Sequence, residues 1–341
     1  MTKVISYKNP ELTTVKDNKA VWNLPKTRRY GYRNLHKINR YGLFLRSDLV
    51  LKLKKKYKDT IYKKPLVKKM TKHKSFCSLI VGNKQNIYFE KYAKDFTENQ
   101  PQTIMSITKM FVNLFVGELL NNKSINLDKK VSYYLPKIGS GYANAKVQDV
   151  LNMNVINAYT EDYTKAYSSS FLHEPVGGWR LPKNSDKHLS QEDYLNTIKS
   201  KKNRNLKNKS NLAFYKSANT DVIGLIVEKI SGKPLRHWML RAVEAAGFEE
   251  GIYIASDRYG MPWMSGGGCL ITRDFLRMGL LFARKGKGVG NRRIGSASFL
   301  DQTVKNVGPK YMKLSENKYL YYSNSTMVSG YMIGHSGYGG Q

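Results

Sequence analysis

Between Met110 and Leu120 the chain sets Met110, Phe111, Val112, Leu114, Phe115, Val116, Leu119 and Leu120 almost without a polar face. A helix formed there has to be buried nearly all round, so the pattern predicts a central helix over Lys109 to Leu120. Ser106 stands at its start, with its hydroxyl near the positive end of the helix dipole. Lys109 follows three residues later, one turn on and on the same face. A buried amine beside a serine loses its charge through desolvation and can accept a proton. The competing reading is that Ser106 is an ordinary N-cap of a core helix. Ser315-Glu316-Asn317-Lys318 has the same spacing by accident, so the four residues alone decide nothing.

A chain of 341 residues, 41% of them hydrophobic, can build one large core or two intimately packed ones. Apolar runs such as Asn219 to Val227 are too short to span a membrane. Met1 to Pro10 has charge but no apolar segment of the secretory kind, which predicts a cytoplasmic protein. Cys77 and Cys269 lie far apart without metal-type spacing and read as free thiols in a reducing compartment. The net charge of +33 suits anionic partners. Its lysines are spread along the whole chain, however, and the densest stretch, Lys52 to Lys74, alternates Lys with Leu, Tyr and Val. That argues for a solvated basic face and against a specific nucleic-acid site. Nothing in the pattern sets an oligomeric state.

Taken in order, residues 1–70 are expected to be a basic extension packed on the body by Trp22, Leu24, Pro25, Tyr30 and Tyr32. The body is expected over 71–341, with a helical and loop insertion over about 140–210. Ser78 to Val81 and Ile87 to Tyr92, either side of Gly82-Asn83-Lys84-Gln85, read as a hairpin. Short helices are predicted over Val147 to Met153 and Gln191 to Lys199. A longer one runs from Thr220 to Ile230 and stops at Ser231-Gly232. Gly266, Gly267 and Gly268 precede a helix over Asp274 to Arg284 and permit close backbone approach. Met327 to Ile333 reads as one strand.

Two more stretches carry potential chemistry. Tyr215-Lys216-Ser217-Ala218-Asn219 precedes the Thr220 helix; a nearby lysine ammonium would lower the Tyr215 phenol pKa and make it a proton relay. Read plainly, it is an aromatic at a helix entrance with Ser217 or Asn219 as cap. Gly334-His335-Ser336-Gly337-Tyr338-Gly339-Gly340-Gln341 has small residues that let backbone N–H groups face a substrate, or is simply a glycine-rich turn.

In this order, S-x-x-K, Y-x-S and H-x-G resemble the serine β-lactamase and D-alanyl-D-alanine peptidase superfamily, class C-like. Ile125-Asn126-Leu127-Asp128, Tyr134-Leu135-Pro136, Val150 to Met153, Tyr215 to Gly232 and Gly266 to Gly279 extend the likeness over roughly residues 20–341. Trp22-Asn23-Leu24-Pro25 and Glu161-Asp162-Tyr163 are similar to the 6-aminohexanoate-dimer hydrolase and carboxylesterase-like branch. The resemblance implies an α/β (α+β) fold, a mainly antiparallel sheet flanked by helices with a largely helical second region. It implies a serine hydrolase that cleaves an amide or ester bond of a small molecule through an acyl-serine intermediate, without metal or cofactor. Ser106 would be nucleophile, Lys109 its proton-sharing partner and Tyr215 general acid/base. The N–H groups of Ser106 and Tyr338, after Gly337, would form the oxyanion hole. Ser217, His335, Tyr163 and Trp179 would line the substrate site.

Two departures stand out. Class C lactamases usually have Asn where Ser217 stands and Lys where His335 stands, which argues against efficient lactamase activity. The family also continues with strands and a helix beyond the position of Gln341, so a fragment or an uncovered sheet edge is expected. Competing readings are a D-peptidase or β-lactamase-type enzyme, or a catalytically silent basic binding protein on the same fold.

Overall fold

The helix Met110–Asn121 is buried along nearly its whole length, with Phe111, Val112, Leu114, Phe115 and Val116 fully enclosed. Each such side chain contributes about 1.5–3 kcal/mol on leaving water. The structure is a computed structural model that describes residues 22–165, 167–180, 190–201, 206–311 and 319–341. Met1 to Pro10 and Ser315 to Lys318 therefore lie outside the described residues. A 3₁₀ turn, Met105–Lys109, leads into the central helix, so Ser106 sits inside a helical turn rather than capping one. The helices Ser217–Ser231, Leu235–Ala246 and Ala297–Lys305 pack around it. Gly117 permits the last of these contacts, since a Cβ there would stand 2.9 Å from the Ser296 nitrogen.

Among the described residues ten strands form three small sheets: β1 Gly42–Leu45, β2 Lys54–Lys55, β3 Ser78–Asn83, β4 Asn86–Tyr92, β5 Gln102–Thr103, β6 Ile252–Ala255, β7 Gly268–Leu270, β8 Tyr321–Ser323, β9 Thr326–Ser329 and β10 Met332–Gly334. The central sheet runs β1-β6-β7-β5, all antiparallel. The others run β10-β9-β8 and β2-β4-β3, and among these strands only the β2–β4 pairing is parallel. The fold is thus α/β with mainly antiparallel sheets and flanking helices, as the resemblance implied.

The predicted single strand over Met327 to Ile333 is instead a hairpin. Ser329 pairs with Met332 across a two-residue loop, and Gly330, at φ +57°, supplies the positive dihedral that such a turn requires. The helix predicted from Thr220 starts at Ser217 and ends, as expected, at Gly232 in the left-handed conformation. The other predicted helices are Val147–Leu151, Gln191–Asn196 and Thr272–Ala283.

The N-terminal part of the chain is woven into this frame. β1 pairs with β6 in the central sheet, and Leu35 and Ile38 of the helix Arg28–Ile38 join Trp22 in a second buried cluster. Arg29 and Arg33 both engage Asp95, at 2.6 and 3.0 Å. The lysines between Lys52 and Lys74 are exposed, on β2 and on the short helices Asp59–Lys63 and Pro65–Lys72. Cys77 and Cys269 are free thiols. No described helix is long and apolar enough to cross a membrane.

Candidate active site

Ser106 is fixed by bonds that reach across to β7. Thr103 Oγ1 accepts the Met105 N–H at 3.2 Å and donates to the Gly268 carbonyl at 3.3 Å. Thr108 Oγ1 donates to the Met105 carbonyl at 2.7 Å and accepts the Gly268 N–H at 3.1 Å. Gly268 has to be glycine, because a Cβ would stand 2.9 Å from Thr108 Oγ1. Met105, directly before the serine, has φ +44°, a strained value that the surrounding bonds hold in place.

Lys109 is fully buried, with Nζ 3.0 Å from Ser106 Oγ and 3.2 Å from Ser217 Oγ, and it also donates to the Ser265 carbonyl. Burial pulls its pKa below the usual lysine value, while the charges of Glu161 and Asp221 work against that. Ser217 donates its hydroxyl to Glu161 Oε1 at 2.6 Å and its N–H to Glu161 Oε2; Tyr163 donates its phenol to Oε1 as well.

Tyr215 lies beside Lys109, whose Nζ is 5.0 Å from the ring centre. Its phenol is pushed well above the ordinary value by burial, with Tyr322, Glu161 and Tyr163 adding to the effect and a hydrogen bond with Ser106 opposing it. The expected lowering by a lysine ammonium is therefore overturned. The ring packs among Tyr311, Tyr322 and His335, an environment that rejects a phenolate and holds Tyr215 as the neutral phenol.

His335 stands behind Tyr215, its Nε2 3.2 Å from the Tyr322 hydroxyl and its Nδ1 2.7 Å from the Ser336 carbonyl. Burial, with the Lys109 charge adding to it, lowers its pKa to about 3, so the ring is neutral.

A cleft of about 530 Å³ opens over Ser106. Trp22, Trp179 and Trp263 make one wall, with ring centres 5.3 Å apart for the first pair and 4.4 Å for the second. Tyr163 and Tyr338, 4.8 Å apart, stand in its lining too. Gly337 backs onto the floor, since a Cβ there would stand 2.8 Å from the Ile104 carbonyl and 3.0 Å from Met105 Cβ. This brings the 337–338 backbone beside the first turn of the Ser106 helix, whose leading N–H groups have no intrahelical acceptor.

The structure thus gathers Ser106, Lys109, Tyr215, Ser217, Tyr163, Trp179, Gly337 and Tyr338 around one cleft and leaves His335 behind it. Sequence reasoning missed Glu161 as the clamp on Ser217, Asp221 and Ser265 beside Lys109, and Trp22, Trp263 and Glu174 in the lining. Asp221 had a local signal, four residues beyond Ser217 on the same helical face, and Trp22 and Glu161 stood in the two motifs that the resemblance named without a role. Among the described residues no group of three His, Cys, Asp or Glu side chains could hold a metal ion.

The beta-lactamase family model matches residues 77–341. The chain belongs to the beta-lactamase family. Within that family it is similar to the 6-aminohexanoate-dimer hydrolase of Paenarthrobacter ureafaciens, 28% identical over 224 residues, which are 63% of this chain and 54% of that protein. The chain thus spans about half the length of this relative. A Bacillus anthracis structure named for the same hydrolase superposes with a TM-score of 0.75 at 18% identity, covering 98% of this chain and 88% of its own. A D-amino acid amidase from Ochrobactrum anthropi superposes at 0.52 and 15% identity, covering 77% and 80%. At these identities the two structures establish the beta-lactamase-like fold alone.

Proposed function

We propose that the protein is a serine hydrolase that cleaves an amide or ester bond of a small molecule through an acyl-serine intermediate. The observation that carries this reading is a fully buried amine, Lys109 Nζ, 3.0 Å from the Ser106 hydroxyl on the cleft floor. Lys109 in its neutral form takes the Ser106 proton while Oγ bonds to the substrate carbonyl carbon. The carbonyl oxygen becomes an anion that accepts the N–H groups of Ser106 and Tyr338. As the tetrahedral species collapses, the neutral phenol of Tyr215 protonates the leaving amine or alkoxide and is reprotonated by the Lys109 ammonium. Water then repeats the sequence in reverse on the acyl-serine. The high Tyr215 pKa and the low Lys109 pKa favour Lys109 as the acylation base.

The cleft's aromatic walls suit an apolar chain, and the negative charge of Glu161 in its lining suits a substrate with an amine. That chemistry fits the 6-aminohexanoate dimer in the name of the Paenarthrobacter relative. A β-lactam carboxylate would find a neutral imidazole at His335, turned toward Tyr322 and Ser336. The test is labelling by a fluorophosphonate together with hydrolysis of a p-nitrophenyl short-chain ester. Covalent labelling at Ser106 with turnover is the expected result. Folded protein that is neither labelled nor active would instead be a binding protein on the same fold.

A further inference from the structure

Asp221 is a fully buried carboxyl that the acyl-transfer steps leave unused. Its Oδ1 accepts the Ser265 N–H at 3.0 Å, and the carbonyl of the same Ser265 accepts from Lys109 Nζ. One residue thus joins the acid to the amine, with its N–H on Asp221 and its C=O on Lys109. The Ser265 and Trp263 side chains also approach the carboxyl and favour its charged form, but Oδ2 accepts no hydrogen bond of ordinary geometry among the described residues. An enclosed acid with an unmatched oxygen is costly unless a nearby charge compensates it. Ser217 and Asp221 lie one helical turn apart, so a single helix face addresses Lys109 twice, directly through Ser217 Oγ and indirectly through Ser265.

We propose that Asp221 is a positioning residue that, through Ser265, aims the Lys109 amine at Ser106 and sets the charge Lys109 carries. The proposal rests on the acyl-serine reading above. When Ser106 yields its proton, Lys109 becomes an ammonium in a site without water-like screening. A carboxylate at Asp221 balances that new charge, and the same attraction holds the resting amine's proton affinity up against burial. Burial in turn raises the Asp221 pKa, while Ser265, Lys109 and Trp263 lower it. The other titratable groups facing the pair are Tyr142 beside Asp221, and Tyr215, Glu161 and His335 near Lys109. A role confined to bracing the Ser265 loop would need only an acceptor at Oδ1, which asparagine retains.

The test is the pH dependence of fluorophosphonate labelling and of p-nitrophenyl butyrate hydrolysis in wild type, Asp221→Asn and Asp221→Glu, with folding checked by circular dichroism. Activity rises as Lys109 deprotonates. Loss of the carboxylate lowers the Lys109 pKa further, so in Asp221→Asn the rising limb moves to lower pH by about one unit. The plateau falls about tenfold, since one unit is a tenfold change in proton affinity. Asp221→Glu keeps the charge and should leave the limb near its wild-type position, which also serves if Asp221→Asn does not fold. A folded Asp221→Asn with an unmoved limb, or an Asp221→Glu whose limb moves like that of a neutral variant, overturns the proposal and leaves the acyl-serine reading intact. A wild type that takes no label overturns both.

Discussion

Glu161 holds Ser217 at two points, accepting its hydroxyl at 2.6 Å on one oxygen and its N–H on the other. With its own hydrogen committed, the Ser217 oxygen is left to accept from Lys109. A neutral amine has two N–H groups and one lone pair. Ser217 Oγ and the Ser265 carbonyl take the two hydrogens, which leaves the lone pair for the Ser106 hydroxyl. The charge of Glu161 also raises the Lys109 pKa against burial. Glu161→Gln should therefore move the rising limb of the kcat/KM profile to lower pH. It should also cut the plateau by about tenfold, because glutamine keeps only one of the two acceptors that hold Ser217. An unchanged profile would make the clamp purely structural.

Ser106→Ala should abolish fluorophosphonate labelling and lower p-nitrophenyl ester turnover by roughly a million-fold, the scale seen when a serine nucleophile is removed. The buried helix should fold as before, since the substitution removes one hydroxyl. Near-normal turnover in this variant would place the nucleophile elsewhere.

Tyr215→Phe keeps the ring among Tyr311, Tyr322 and His335 and removes only the donor. Stability should change by about 1 kcal/mol, the worth of one hydrogen bond. Turnover should fall by roughly a hundred- to ten-thousand-fold. Amides should suffer more than p-nitrophenyl esters, because an amine leaving group needs the proton and p-nitrophenolate does not. The ratio of amide to ester kcat/KM in the two proteins is the measurement, and an equal ratio with intact rates assigns Tyr215 to packing.

Gly31 lies against the backbone of Trp22, and a Cβ there would stand 2.2 Å from the Trp22 Cα and carbonyl oxygen. Gly31→Ala must displace Trp22 from its place against Tyr32 and Trp179. The expected result is a lower Tm and a raised KM with kcat less affected, since the cleft wall moves and Ser106 does not. Unaltered Tm and KM would show that the N-terminal segment is independent of the cleft.

His173 is fully enclosed, stacked on Tyr194 at 4.3 Å, and neither ring nitrogen has a hydrogen-bond partner among the described residues. Burial lowers its pKa from 6.5 to about 3. Between those values the unfolded chain binds a proton that the folded protein refuses, so stability is present above the higher value and is lost as pH falls toward the lower. His173→Phe keeps an aromatic ring and should flatten the decline of urea stability across that acid window. An equally steep decline in the variant would assign it to other groups.

The central helix and the Ser106–Lys109 pair were legible because backbone geometry sets them: three residues along a helix place two side chains on one face wherever the helix lies. The turn at Gly232 was readable for the same local reason. The Glu161–Ser217 clamp joins positions 56 apart, the Asp221–Ser265–Lys109 bridge joins positions 44 and 156 apart, and the Trp22 wall depends on a chain crossing of the same long-range kind. The direction of the Tyr215 shift also escaped local reading: Lys216, its neighbour in sequence, turns its amine to the Tyr159 carbonyl, and burial outweighs any nearby cation. The sequence alone determined which reactive groups share a helical turn. Only the tertiary structure decided their protonation, because desolvation and long-range charge depend on everything the fold packs around them.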